Sequence, residues 1–324
     1  MSDEWHGEAD GGGVAGDFHS ERPVARHPMT WSLPLMQLGG ISVRVHALFL
    51  LLAAVVSVVG PWVLGVDPNQ GGDSPFAPPD ARHWMGTDIH GRDLLARVLI
   101  GTRISLMVGA VGAAVSLVIG VGWGLVAGWH GGRTDAWMMR LVDVLYALPT
   151  VVWVMLALTL FETRCLGWLS ERWPASIPGL RLAAMMVSLG AVSWLTMARV
   201  VRAQVLSLRE RPFILAAQAV GVSPARLMLR HLLPNLTGVI LVYLTLTVPS
   251  VVLYESFLSF LGLGVRPPQA SLGTLIADGA SQLNPVRVRW WLLAFPAGLM
   301  ALLLAALNGV GEGLRSAFEP RDDH

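Results

Sequence analysis

Six stretches of this sequence are long and apolar enough to approach the thickness of a lipid bilayer. They are Ala47–Val66, Ile104–Trp129, Val142–Phe161, Leu182–Ala198, Leu236–Tyr254 and Trp290–Val310. About 20 mainly apolar residues cross the hydrocarbon core as a helix, and a helix satisfies its backbone polar groups where no water can. The fourth stretch is the shortest, yet it carries no charge between Arg181 and Arg199. Only 14% of the chain is charged, against about 25% in soluble domains. The expected fold is all-α: a polytopic membrane protein with six transmembrane helices and both termini on the cytoplasmic side.

Composition excludes several chemistries. A net charge of +1 offers no clustered basic face for nucleic acid. The single cysteine, Cys165, rules out an internal disulfide and a multi-cysteine metal site. The histidines show no HExxH spacing. All basic residues are arginine, and no lysine occurs anywhere. An ordinary GxxxxGK[ST] phosphate loop is therefore impossible, as is Schiff-base chemistry. If ATP drives this protein, another subunit hydrolyses it.

Between the fourth and fifth apolar runs lies RERPFILAAQAVGVSPARLMLRHLLPN, Arg209 to Asn235. Pro212 suits a first helical turn, Gly221 a helix stop, and Ser223-Pro224 a restart. Pro234 is expected to halt the second helix. The result is a polar helical hairpin, apolar and small-residued in its first arm and basic in its second. The loop around it holds Arg199, Arg202, Arg209, Arg211, Arg226 and Arg230 against one acid, Glu210. Arginine excess marks the cytoplasmic side.

In the second span Gly112, Ser116, Gly120, Gly124 and Gly128 recur every fourth residue. On a helix they make a small-residue stripe that lets a neighbour's backbone approach closely. Asp88, Arg92 and Asp93 are concentrated enough for acid–base work, but a salt-bridged turn is the simpler reading. Arg140 and Asp143 can share a helix face as an end-of-helix ion pair. Glu255 closes the fifth span as either an external gate or an interfacial charge.

The placement of Ala216, Ala217, Gly221 and Leu233-Pro234-Asn235 resembles the coupling loop of ABC-transporter permeases, although Leu215 stands where that pattern has glutamate. MGTDIHGRD at 85–93, GGRTDAWMMRLVDVLYALP at 131–149, ESFLSFLGLGVRPP at 255–268 and GEGLRSAFEPR at 311–321 resemble the C-type inner-membrane permeases of dipeptide, oligopeptide and nickel ABC importers. Glu312, Ser316 and Glu319 depart from that family's aspartates, and Phe318 from its leucine.

The resemblance implies a non-enzymatic subunit of the bacterial inner membrane that moves small solutes by alternating access. It implies ATP-binding subunits carrying ATP and Mg, a second permease subunit, an extracytoplasmic solute-binding protein, and no cofactor on this chain. Ala216, Ala217 and Gly221 would dock closely on the ATPase, and Arg226 and Arg230 would seat it electrostatically. His231 and Pro234 would form the junction with the membrane. The chain divides into a disordered tail (1–41), a first span with its external loop (42–103), a permease core (104–316) with coupling loop 209–235, and a short tail (317–324). An ion-coupled secondary transporter or a membrane scaffold are the alternatives. The former would need ionisable groups in mid-span, where this sequence has none.

Overall fold

The computed structural model describes residues 41–161, 177–283 and 288–318. Nearly all of the expected tail over 1–41, most of the Glu162–Arg181 segment and residues 319–324 lie outside the described residues. In chain order the helices are α1 (Ile41–Leu64), α2 (Leu94–His130), α3 (Gly132–Ala147), α4 (Thr150–Phe161) and α5 (Ile177–Arg209). There follow α6 (Pro212–Ala219), α7 (Pro224–Leu227), a π turn at Met228–Leu232, α8 (Leu233–Phe260), α9 (Leu272–Ser281) and α10 (Trp291–Phe318). No strand occurs among the described residues, apart from a single bridge between Thr87 and Asp93. Five helices can cross a membrane, or six if α3 and α4 count as one bent span.

Three sequence expectations are corrected. The segment expected as one span at Val142–Phe161 is shared by two helices, α3 and α4, which meet at 95°. Leu148, just before Pro149, is extended (φ −94°, ψ 140°). A proline pushes its predecessor out of the helical region. The fourth span is not a short helix but part of the 33-residue α5. Hydropathy ends it at Arg199, whereas the helix carries its arginines onward because they find acids on α3. Pro234 does not halt the hairpin. It sits in the first turn of α8, and the preceding π turn absorbs the misfit, with the Leu233 N–H reaching the Met228 carbonyl. A π turn shifts hydrogen bonds to i→i+5, so the chain continues as helix past a residue that has no N–H.

Helix α2 is the spine. Asp93 caps it, accepting from the Ala96 N–H at 3.0 Å, and Gly131 ends it at φ 62°. Its 37 residues make roughly 55 Å of helix, well beyond the ~30 Å of a hydrocarbon core. It must therefore tilt or project past the bilayer. Its stripe of small residues is buried. A Cβ on Gly124 would come 2.6 Å from the Ala198 carbonyl oxygen and 2.7 Å from Val201 Cβ. Gly120 lies against Met197 and Trp194 of α5, Gly128 against Val205 and Arg202 of α5, and Gly112 against Val251 of α8. Ser116 is fully buried in the same seam. Here shape fit replaces a hydrophobic drive that lipid cannot supply.

Candidate functional site

The hairpin is a knob fastened to the bundle from below. Ile214 is the one buried residue of α6. With Leu232 and Leu236 it joins an apolar cluster containing Val201 and Val205 of α5. The turn is a Schellman motif: Gly221 N–H donates to the Gln218 carbonyl at 2.9 Å and Val222 N–H to Ala217 at 3.1 Å. That geometry needs a left-handed residue after the helix, and Gly221 has φ 85° with open space where a Cβ would be. Gly221 is thus demanded by the backbone rather than by a packed neighbour within the chain.

What the knob shows outward is apolar with a basic border. Phe213, Leu215, Val220 and Leu229 are exposed, Val220 at 85%. Ala216, Arg211, Arg226 and Arg230 are exposed, and Ala217 is half-buried. Leu215, at the position where the coupling-loop pattern has glutamate, lines a hollow with Trp129, Arg209, Glu210 and Gln218. His231 is half-buried, and its carbonyl accepts from Asn235 Nδ2 at 2.6 Å. Pro234 is exposed beside it. Sequence reading passed over Val220 and Leu229; only their exposure in the folded hairpin distinguishes them from core residues.

The arginines above the knob act as struts. Arg202 forks onto Asp135 with two hydrogen bonds of 2.5 Å, the bidentate form that best fixes orientation. Arg199 pairs with Asp143 at 2.7 Å and covers the Tyr146 ring at 4.0 Å. Asp143 therefore pairs across helices rather than with Arg140, which lies over Trp137. Arg209 donates to the Gly128 carbonyl at 3.1 Å, placing a cation at the C-terminal end of α2 where the helix dipole favours it.

Higher in the bundle, α3, α5 and α8 enclose a cleft of about 230 Å³. Tyr146, Thr196, Tyr243, Thr247, Ser250 and Tyr254 give it hydroxyls, and no charged side chain lines it among the described residues. Tyr146 and Thr196 hydroxyls bond each other at 2.5 Å. Thr247 and Ser250 donate to carbonyls of their own helix, which leaves their oxygens free to accept.

At the end opposite the knob, Glu255 is fully buried, so it is neither an interfacial charge nor exposed as a gate would be. Its carboxylate accepts from Ser271 at 2.5 Å, Ser259 at 2.7 Å and Ser105 at 3.4 Å. These hydroxyls tie α2, α8 and the start of α9 together. Nearby, Asp88 accepts from Arg92 Nε at 2.7 Å, Arg97 Nη1 at 2.5 Å and the N–H groups of His90 and Arg92. Burial pushes its carboxyl up, but these hydrogen bonds win and hold it below the ordinary carboxylate value. Asp93 caps α2 and binds His83 Nδ1 at 2.8 Å. Every polar edge of the pair is engaged, which makes a salt-bridged turn and leaves no free base.

Residues 120–322 match the family described as binding-protein-dependent transport system inner membrane component. The chain belongs to that family. The permease is 44% identical over 243 residues to the oligopeptide transport system permease protein OppC of Escherichia coli K12, covering 75% of this chain and 74% of that one. It is 40% identical over 276 residues to the dipeptide transport system permease protein DppC of Bacillus subtilis, covering 84% and 79%. In fold it resembles a chain of the MetNI methionine ABC transporter at TM-score 0.52 and 18% identity, covering 70% of this chain and 98% of that one. It is therefore a multi-pass inner-membrane permease of an ABC importer, not an enzyme. The family match spans the struts, the knob, the hydroxyl-lined cleft and the part of the seam from Gly120 onward.

Proposed function

We propose that this permease carries di- or oligopeptides inward, the class named for its curated relatives, along a path that includes the hydroxyl-lined cleft. A peptide presents amide donors and acceptors whatever its side chains, and hydroxyls can meet both. A wall without charges does not select for one charge on a side chain. The hydroxyl-lined cleft of this chain is half of a path that a second permease subunit completes. An extracytoplasmic binding protein delivers the solute.

The observation that carries this reading is the knob. Its exposed apolar residues, bordered by Arg211, Arg226 and Arg230, rest on a buried anchor and arginine struts. Such a surface fits a groove in a partner, with an apolar centre and a charged rim. On this reading the partner is an ATP-binding subunit holding ATP and Mg, and the knob and both chain termini face the cytoplasm. The hairpin must bind the two nucleotide states differently, because a partner shifts an equilibrium only through differential affinity. Glu255 does not line the cleft, and among the described residues no charged side chain lines it to couple an ion there.

The test is co-purification from detergent with the ATPase subunits, comparing wild type with a Gly221→Val, Ala217→Arg variant. Wild type should bring down the ATPase and the variant should lose it while remaining inserted. Retention by both would contradict the docking role of the knob.

A further inference from the structure

Two adjoining clefts open at the end of the bundle opposite the knob, and neither belongs to the hydroxyl-lined cleft. The larger, of about 310 Å³, is lined by Asn69, Arg97, Arg103 and Gln269 between apolar walls. The smaller is lined by Arg181, Arg266 and the same Gln269. No carboxylate lines either of them among the described residues.

The two arginines of the larger cleft differ in their charge balance. Arg97 is buried and bound to Asp88, which also holds Arg92. Asp278 lies close enough to act on both guanidiniums, and burial pushes its carboxyl up. Those charges answer one another beneath the cleft floor. Arg103 is exposed and makes no ion pair with a described residue. It faces a hollow whose other polar side chains are the Asp88-bound Arg97 and the carboxamides of Asn69 and Gln269. A planar guanidinium with amide donors around it is the chemistry that grips a carboxylate. The site is recessed and small, whereas a stable protein contact covers about 800 Å² per partner.

The geometry points to a carboxylate-receiving station at the mouth of the path, where Arg103 contacts the free C-terminal carboxylate of an incoming peptide. This rests on the peptide-import reading above. Ile100, Ile104 and Leu182 of the cleft wall pack into a buried apolar core with Val154, Leu158, Met185, Val251 and Leu258. That wall offers no second charge, so the carboxylate is released from Arg103 when the solute moves on. An exposed guanidinium suits that, because ion pairs in contact with water hold only weakly. Arg103 orients the solute without trapping it.

The experiment uses the full transporter in proteoliposomes, with its permease pair, ATPases and binding protein. Uptake of a tripeptide free acid and of its C-terminal amide is measured against the concentration of loaded binding protein. Arg103→Gln should lower the saturated free-acid rate about fivefold, the upper end for an ion pair in contact with water. The KM for loaded binding protein and the amide rate should stay at wild-type values, and Arg103→Lys should keep most of the free-acid rate. A raised KM with an unchanged saturated rate would place Arg103 against the binding protein and overturn the proposal. Equal losses for acid and amide, or no loss at all, would also overturn it. If the wild-type assembly imports neither peptide, the peptide-import reading fails first, and this station falls with it.

Discussion

Two glycines on one helix make the sharpest contrast at the residue scale. A Cβ at Gly124 meets the Ala198 carbonyl oxygen and Val201, whereas one at Gly122 meets nothing within 4 Å. Gly124→Val should therefore destabilise the seam by about 3 kcal/mol, the upper range for overpacking, while Gly122→Val is nearly neutral. Thermal melts of the two variants in the same detergent check this. Gly221 behaves differently, since its constraint is its φ of 85° and not a neighbour. Gly221→Ala should cost the knob roughly 1 kcal/mol and Gly221→Val more, as L-residues resist the left-handed region. Faster amide exchange over 212–232 would report it, with the rest of the bundle unchanged. Both glycine features are visible in the sequence, one as a four-residue spacing and the other as a stop before Ser223-Pro224. Glu255 was not legible. Its partners Ser105, Ser259 and Ser271 come from three places in the chain, and a carboxylate at the end of an apolar run looks interfacial until those hydroxyls are assembled.

Among the elements, α5 and the bent α3–α4 pair show where sequence reading ends. Hydropathy stops the fourth span at Arg199, because a charge normally marks the membrane boundary. Here Arg199 and Arg202 are matched by Asp143 and Asp135 of α3, a cross-helix pairing that no single-segment score contains. Asp135→Asn should weaken the base of the knob by about 1 to 2 kcal/mol, allowing for the part-exposed Arg202, and should loosen coupling before it affects insertion. The loop before α2 carries the pH dependence. The Asp88 carboxyl is held below its ordinary value, despite burial, by hydrogen bonds from Arg92, His90 and Arg97. Its stabilisation is therefore fully present above the unfolded carboxylate pKa of about 4. It is lost as pH falls through the lower folded value. Asp278 is raised by burial, so ionising it as pH rises costs stability and works in the opposite direction. Melts from pH 7 down to about 3 should show acid loss in wild type, and Asp88→Asn should flatten that dependence while lowering stability at neutral pH.

For the whole molecule, two ends of one bundle are joined by helices that run its full length. The knob rests on the last turns of α5 and the C-terminal end of α2. The same two helices begin at the opposite end, beside the arginine-lined clefts and the Glu255 knot. On the proposed reading, a push on the knob is passed to α5, which also lines the hydroxyl-lined cleft, and that continuity is the mechanical requirement for alternating access. The helical class, the hairpin and the membrane character were all legible in the sequence. The cleft was not, because its hydroxyls are spread over α3, α5 and α8, and threonine, serine and tyrosine in apolar helices look like ordinary packing until the helices are placed. The most direct test is to measure ATP hydrolysis and peptide uptake together in proteoliposomes, with wild type and Val220→Asp. A charge on this most exposed apolar residue of the knob should lower uptake at least tenfold, as for a buried unpaired charge, while the permease stays inserted. Wild-type uptake by the variant would contradict coupling through the knob.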